Sequence, residues 1–128
     1  MPTGPELNDN YLHRNMRLAV QGLASEIGTA TATAGAATAS DLFSIVTSEA
    51  LTTAQNAKYT LTVTNTKVAV GDFVMVTLAN GTNSAATPVL QTSTVTANTI
   101  TIVVANKHDS AVALNGTLVF YIQVIKAL

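Results

Sequence analysis

The chain contains no cysteine. A disulfide framework, a thiolate zinc site and a cysteine nucleophile are therefore all excluded. Small secreted domains often depend on disulfides, so their absence favours production in a reducing cytoplasm. Tryptophan is also absent, and only three Tyr and three Phe are present. These are too few aromatic residues for a surface on which sugar rings stack. We therefore expect Tyr59 and Tyr121 to pack in a core or an interface.

Charged residues are scarce as well. They make up 10% of the 128 residues and leave a net charge of −1, against roughly 25% charged residues in an average soluble domain. No basic cluster is present, so we expect no nucleic-acid partner. No run approaches the roughly 18 apolar residues of a membrane-spanning helix, and the first twenty residues lack the apolar region of a signal peptide. We therefore expect no membrane partner.

The titratable residues form no recognisable reaction centre. His108 and Asp109 are adjacent, but a general base needs an orienting carboxylate and a nucleophile within hydrogen-bond reach, and the surrounding sequence NKHDS indicates a turn. The acidic residues are scattered and lack the paired arrangement of a glycosidase. His13 and His108 have no neighbours at ligand spacing, so we expect neither a metal nor another cofactor. The sequence therefore predicts a protein that is not an enzyme.

The residues that are abundant point to β structure. Threonine occurs 21 times, and its branched, stiff side chain suits a pleated sheet. From Asp41 onward apolar residues recur with a period of two. This pattern predicts six or seven short strands in an antiparallel β-sandwich or jelly-roll-like body over residues 41–128. The clearest strand segments are 42–47, 59–64, 73–78, 88–96, 99–104 and 117–125.

Four residue pairs between these segments are typical of turns. They are Val70-Gly71, Asn80-Gly81, Ala97-Asn98 and Asn115-Gly116. Both Asn-Gly pairs are followed by Thr and so match the glycosylation acceptor pattern. A type I′ hairpin turn accounts for the same residues, and the flanking apolar runs favour it. We therefore predict hairpin turns at both Asn-Gly pairs.

Residues 1–40 differ in character and are expected to form an N-terminal arm, helical or extended. Residues 1–7 hold two prolines and a glycine and are expected to be extended or disordered. The spacing of Leu12, Met16, Leu23 and Ile27 predicts one apolar stripe of an amphipathic helix over residues 8–27, with Gly28 at its C-terminal end. In residues 28–40, GTATATAGAATAS, strand and helix tendencies cancel, so we expect an extended linker.

Two predicted strands, FVMVTL and TLVFYIQVI, are apolar on both faces. A sandwich has one core, and Val74, Val76, Val119 and Tyr121 cannot all point into it. Another subunit would cover the second face. We therefore predict a homotrimer with these four residues at its interface.

The C-terminal half of the chain resembles the β domains of tailed-bacteriophage virion proteins. The similar runs are TLTVTNTKVAVGDFVMVTLANGT, STVTANTITIVVAN and SAVALNGTLVFYIQVI, within about residues 58–125. The residues that match are Val68, Gly71, Asp72 and Val74, then Ile100, Ile102 and Asn106, and finally Leu114, Asn115, Gly116 and Val124. Such domains occur in head decoration (cement) proteins, head fibres and tail-associated proteins.

The resemblance implies a virion structural protein. We expect a decoration protein that is made in the host cytoplasm, assembles as a trimer and binds the major capsid protein on the outside of the head. In this interpretation the arm residues Leu12, Met16, Leu23 and Ile27 dock on the capsid. The alternative is a tail or head-fibre protein with a receptor-binding or carbohydrate-binding role.

Overall fold

The computed structural model describes residues 27–128. The N-terminal arm up to residue 26, with the predicted helix stripe of Leu12, Met16 and Leu23, lies outside the described residues. Ile27, expected to be the last residue of that helix, is instead the first residue of a β-strand. The prediction of a helix extending through Ile27 is therefore wrong at this residue.

The described residues form eight strands in two four-stranded sheets. Sheet A has the order β1-β3-β8-β5, and sheet B has the order β2-β4-β7-β6. The predicted β-sandwich is confirmed as the fold class. The strands are β1 (Ile27–Thr31), β2 (Ala36–Thr38), β3 (Phe43–Thr47), β4 (Lys58–Thr64), β5 (Phe73–Asn80), β6 (Pro88–Thr96), β7 (Thr99–Asn106) and β8 (Leu118–Ile125).

All six strand segments predicted from the period-two pattern form strands, with ends that differ by at most two residues. Within residues 41–128 every strand pair is antiparallel, as expected. The chain crosses from one sheet to the other at every connection between described strands except β6–β7. That one hairpin turns at Ala97-Asn98, where Asn98 has a φ of 59°.

The core lies between the inward faces of the two sheets. Along β4, β7 and β8, every second residue is buried. The ring of Phe120 from sheet A packs at a tilt against that of Tyr59 from sheet B, with centroids 6.4 Å apart. The largest apolar side chains that are fully buried are Val46, Leu61, Val63, Ile100, Ile102, Val104, Leu114, Leu118 and Phe120.

The Ala/Thr stretch of residues 28–40 is not a linker but part of both sheets. Strand β1 pairs in parallel with β3 and adds an edge strand to sheet A, while β2 pairs in parallel with β4 and does the same for sheet B. Ala32, Ala37 and Ala39 are buried in the core. The β-body therefore includes residues 27–40 and does not start only at Asp41, and these two parallel pairs make the sheets mixed rather than purely antiparallel.

A two-residue turn at Ala34-Gly35 carries the chain from β1 to β2. Both residues have positive φ, at 50° and 75°, as in a type I′ turn. Thr33 and Ala36 exchange backbone hydrogen bonds of 2.9 and 3.0 Å across it. Glycine is required at position 35 because a Cβ there would lie 2.7 Å from the Thr60 carbonyl oxygen.

Glu49 holds this turn against the body. One carboxylate oxygen accepts the Gly35 N–H, and the other accepts the hydroxyl of Tyr59, each at 2.8 Å. Burial, together with the hydrogen bond to Glu49, raises the pKa of Tyr59 above its ordinary value, so its hydroxyl stays protonated and donates to Glu49. A single side chain therefore links the β1–β2 turn to strand β4.

The two Asn-Gly pairs do not form the hairpin turns predicted for them. Neither Gly81 nor Gly116 has a positive φ, and the two Asn-Gly-Thr motifs instead pack on each other. The Thr82 N–H donates to Thr117 Oγ1 at 3.0 Å, and the Thr117 N–H donates to Thr82 Oγ1 at 2.9 Å. A Cβ on Gly116 would lie 2.7 Å from the Thr82 carbonyl carbon, so close approach explains this glycine.

We expect Ala34→Asn to stabilise the fold. Alanine in the left-handed region costs about 1 kcal/mol, whereas Asn-Gly is the favoured pair of a type I′ turn. The free energy of unfolding measured with denaturant should rise by about 0.5–1 kcal/mol. Gly35→Ala should lower it, since both φ and the Thr60 carbonyl oppose a side chain. A stabilising Gly35→Ala would contradict the turn geometry.

Candidate assembly surface

Sheet A presents an apolar outer face to solvent. Because side chains alternate along each strand, the register aligns the outward residues in rows across the sheet. Tyr121 of β8 lies between Ile45 of β3 and Thr77 of β5. The outward positions of this sheet are occupied by Ile, Phe, Met, Val, Tyr, Ala, Thr or Gln, and none carries a charge.

Four of the most exposed apolar residues of this face gather at one end, while Tyr121, 47% exposed, lies nearer its centre. Phe73, Met75 and Ile125 are 61%, 51% and 44% exposed. Ile27, 48% exposed, pairs with Phe43 at the same end. We call these five residues the strand-end patch: β1, β3 and β5 begin here and β8 ends here. Gln123 lies between Phe43 and Met75 in the same row, so this end of the face is predominantly apolar and is interrupted by one amide. An exposed surface of this kind is typical of a site of interaction.

The outer face of sheet B has the opposite character. Its outward residues are mostly threonines, which offer hydroxyls to water. One row across all four strands consists of Thr38, Thr64, Thr99 and Thr96. One polar and one buried face is the usual pattern of a sheet that faces solvent. The outer face of sheet B therefore has the polar character of a solvent-exposed surface, whereas the outer face of sheet A does not.

The structure divides the four residues predicted at a subunit interface into two groups. Val119 and Tyr121 point outward on β8, and Tyr121 is 47% exposed. Val74 and Val76 point inward on β5 and pack against the core. The outward side chains of β5 at this end are Phe73 and Met75. Val74 and Val76 are therefore not positioned to contact another subunit through the outer face.

His108 makes its hydrogen bonds within and beside its own loop in the described structure. Its Nδ1 lies 3.2 Å from both the backbone nitrogen and the hydroxyl of Ser110, and its carbonyl accepts the side-chain amide of Gln55 at 2.9 Å. These contacts fit the turn predicted around residues 106–110. Among residues 27–128 there is no cluster of three or more His, Asp or Glu that could hold a metal ion.

An open depression of about 260 Å³ lies between the edge strands β5 and β6. Its walls are neutral and supply no titratable side chain. They consist of Leu78, Ala79, Asn80, Ala86, Thr87 and Pro88. This composition offers no acid or base for a reaction.

Asp72 anchors the end of the chain at the strand-end patch. Lys126 Nζ donates to one carboxylate oxygen, which also accepts the Ala69 N–H at 2.9 Å, and the Ala127 N–H donates to the other at 2.9 Å. The Lys126 hydrogen bond and the two backbone donors lower the pKa of Asp72 to about 2. The contact fixes the chain directly after β8.

No helix within residues 27–128 has the length and apolar character needed to cross a membrane. Comparison of the chain with protein-family models, with curated proteins and with solved structures finds no match.

We expect acid to weaken the fold through Asp72. Its folded pKa of about 2 lies below the ordinary 3.8, so its stabilising contribution is present above about pH 4 and is lost as the pH falls towards 2. Asp72→Asn should be less stable than the natural chain at pH 7, and the difference should shrink at pH 2. Thermal unfolding of both proteins at pH 7, 4 and 2 measures this. A constant difference would contradict it.

Proposed function

We propose that this chain is a structural protein of a tailed-phage virion, a decoration protein that assembles as a homotrimer and binds the outside of the capsid. The observation that carries the proposal is the contrast between the two outer faces. Sheet A exposes an uncharged, largely apolar face, while sheet B exposes threonine. This asymmetry supports the proposal that the outer face of sheet A is buried against other protein while the outer face of sheet B stays in solvent.

The centre of the sheet A outer face is the proposed contact between subunits. Val119 and Tyr121 lie there with Ile45 beside them. Full burial of side chains of this size is worth about 1.5–3 kcal/mol each before ordering costs. Aromatic residues such as Tyr121 also contribute strongly at interfaces because they are large and rigid.

The N-terminal segment is the proposed capsid contact. Leu12, Met16 and Leu23 form the apolar stripe predicted from the sequence, and Ile27 is no longer part of it because it lies on sheet A. Three copies per trimer would multiply a modest affinity by about 10² or more. Binding only to the assembled shell would stabilise that shell by mass action. Since residues 28–40 are folded, the segment leaves the body at a fixed point.

We expect Tyr121→Asp to break the trimer. A carboxylate at this position would be buried without a partner in the subunit contact, at a cost of several kcal/mol. Sedimentation velocity of the full-length protein at micromolar concentration should change from trimer to monomer. Thr101→Asp, which places the same charge on the threonine face, is the control and should remain a trimer. If the natural chain sediments as a monomer, the proposal of a homotrimer is wrong.

We expect Leu12→Asp combined with Leu23→Asp to abolish binding to capsids that lack the decoration protein, because both charges fall on the apolar stripe. Co-sedimentation measures the binding. Gln21→Asp, which lies on the opposite side of the predicted helix from the stripe, should bind as the natural chain does. Equal binding by all three proteins would refute the capsid contact.

A copy number of only a few per particle, counted on gels of purified virions, would favour the fibre alternative over decoration.

A further inference from the structure

The chain contains two Asn-Gly-Thr sequences, at residues 80–82 and 115–117, and the fold gives their asparagine side chains different surroundings. We propose that Asn115 is a site of spontaneous deamidation, at which the folded chain converts its own side-chain amide to the carboxylate of an ordinary aspartate, while Asn80 is protected. This modification goes beyond the proposed function, because it needs neither a trimer nor a capsid.

Two backbone donors hold the side-chain oxygen of Asn115. Oδ1 accepts the N–H groups of Ser84 and Ala85, at 2.8 and 3.2 Å, and we call these two groups the cradle. Such donors polarise the amide and stabilise negative charge on its oxygen, as the oxyanion hole of an acyl-transfer enzyme does. Nδ2 donates to Ser84 Oγ at 3.2 Å, so a hydroxyl lies beside the group that has to leave. Cγ of Asn115 is therefore activated towards a nucleophile.

The nucleophile is the next backbone nitrogen along the chain. Gly116 has no Cβ, so its nitrogen is the least hindered that a residue after asparagine can offer. Its N–H makes no hydrogen bond to any residue between 27 and 128, whereas a paired N–H would first have to give up its partner. Within the described part of the chain, nothing ties down the proton that this nitrogen has to lose.

Asn80 lacks both features. It is the last residue of strand β5, and the N–H of Gly81 donates to the Thr117 carbonyl at 2.9 Å. Among the described residues, its Oδ1 accepts only the side-chain amide of Asn83, at 2.9 Å. The nitrogen that would attack is therefore held by a hydrogen bond, and the carbonyl is polarised by one donor rather than two.

The reaction balances with water as its one co-reactant. The Gly116 nitrogen loses its proton to water or hydroxide and bonds to Cγ of Asn115. The C–N bond of the side-chain amide breaks, and the amide nitrogen takes up a proton and leaves as ammonia, which closes a succinimide ring. Water then adds to a ring carbonyl and reopens the ring. In sum, asparagine and water give an aspartyl residue and ammonia.

The cradle also determines which product forms when the ring opens. Addition of water at Cγ breaks the bond to the Gly116 nitrogen and gives aspartate in a normal backbone, whereas addition at the backbone carbonyl gives isoaspartate. The two donors polarise the carbonyl of Cγ, so they favour aspartate. Packing opposes isoaspartate, because it adds a methylene group to the main chain and Gly116 is buried against Thr82.

We expect the folded natural chain to deamidate several-fold faster at Asn115 than at Asn80. The protein is incubated at mildly alkaline pH, and mass spectrometry of its peptides measures the replacement of amide by acid at each site. The control is the same chain in concentrated urea, where both sites precede Gly-Thr and should react at closely similar rates. Equal rates in the folded protein, or a faster reaction at Asn80, would overturn the proposal.

The product at position 115 tests whether the cradle directs the reaction. Aspartate should exceed isoaspartate in the folded chain, and isoaspartate should predominate in urea, where the donors are lost and the backbone carbonyl is the more reactive one. Chromatography separates the two forms of the peptide. A product ratio that is the same in both conditions would mean that the cradle does not direct the conversion, and the assignment of aspartate would be wrong.

Asn115→Asp tests whether the fold accepts the product. One carboxylate oxygen would keep both cradle donors, and hydrogen bonds to a charged acceptor are stronger than those to a neutral amide. The denaturation midpoint of Asn115→Asp at pH 7 should equal or exceed that of the natural chain. The matched control, Asn80→Asp, should be the less stable of the two variants. A midpoint for Asn115→Asp below that of the natural chain or of Asn80→Asp would contradict the cradle.

Discussion

The fold depends on the burial of one face of every strand in a single core between two sheets. Because all connections except β6–β7 cross between the sheets, neither sheet is a separate chain segment, and pairing in one sheet positions residues in the other. The same arrangement creates a constraint on the outside. One core covers one face of each sheet, so the largely apolar outer face of sheet A stays exposed among the described residues, whereas the outer face of sheet B offers threonine hydroxyls to water.

The strands of residues 41–128 could be predicted because large apolar side chains alternate with polar ones, and burying one face outweighs other tendencies. The same reasoning failed for residues 28–40, where the alternating partner of threonine is alanine. Its burial contributes little, so local pattern does not decide the structure. Pairing with β3 and β4, the Ala34-Gly35 turn and the distant carboxylate of Glu49 decide it. Likewise, the Asn-Gly motifs carry a turn signal, but each packs on a motif 35 residues away.

The candidate surface was half predictable. The sequence of β5 and β8 shows that both faces of each strand are apolar, so one apolar face of each strand must point away from the core. It does not show which set of alternating residues that is. The inward set on β5 is Val74 and Val76 because their register aligns them with Val124 and Ile122, which face the core. Phe73 and Met75, larger than the valines, lie outside. Size alone would have suggested the reverse, and only the register resolves it.

The parallel pairing of β1 with β3 also determines how the body responds to force. A pull applied to the start of β1 along the direction of the strand loads its pairing with β3 in shear. The five paired positions from Ile27 to Thr31 then bear the load together in shear, rather than opening one after another as a peeled strand would. Glu49 adds resistance at the far end by holding Gly35. For a pull in that direction, we expect the edge strand β1 to resist extraction more strongly than its five residues suggest.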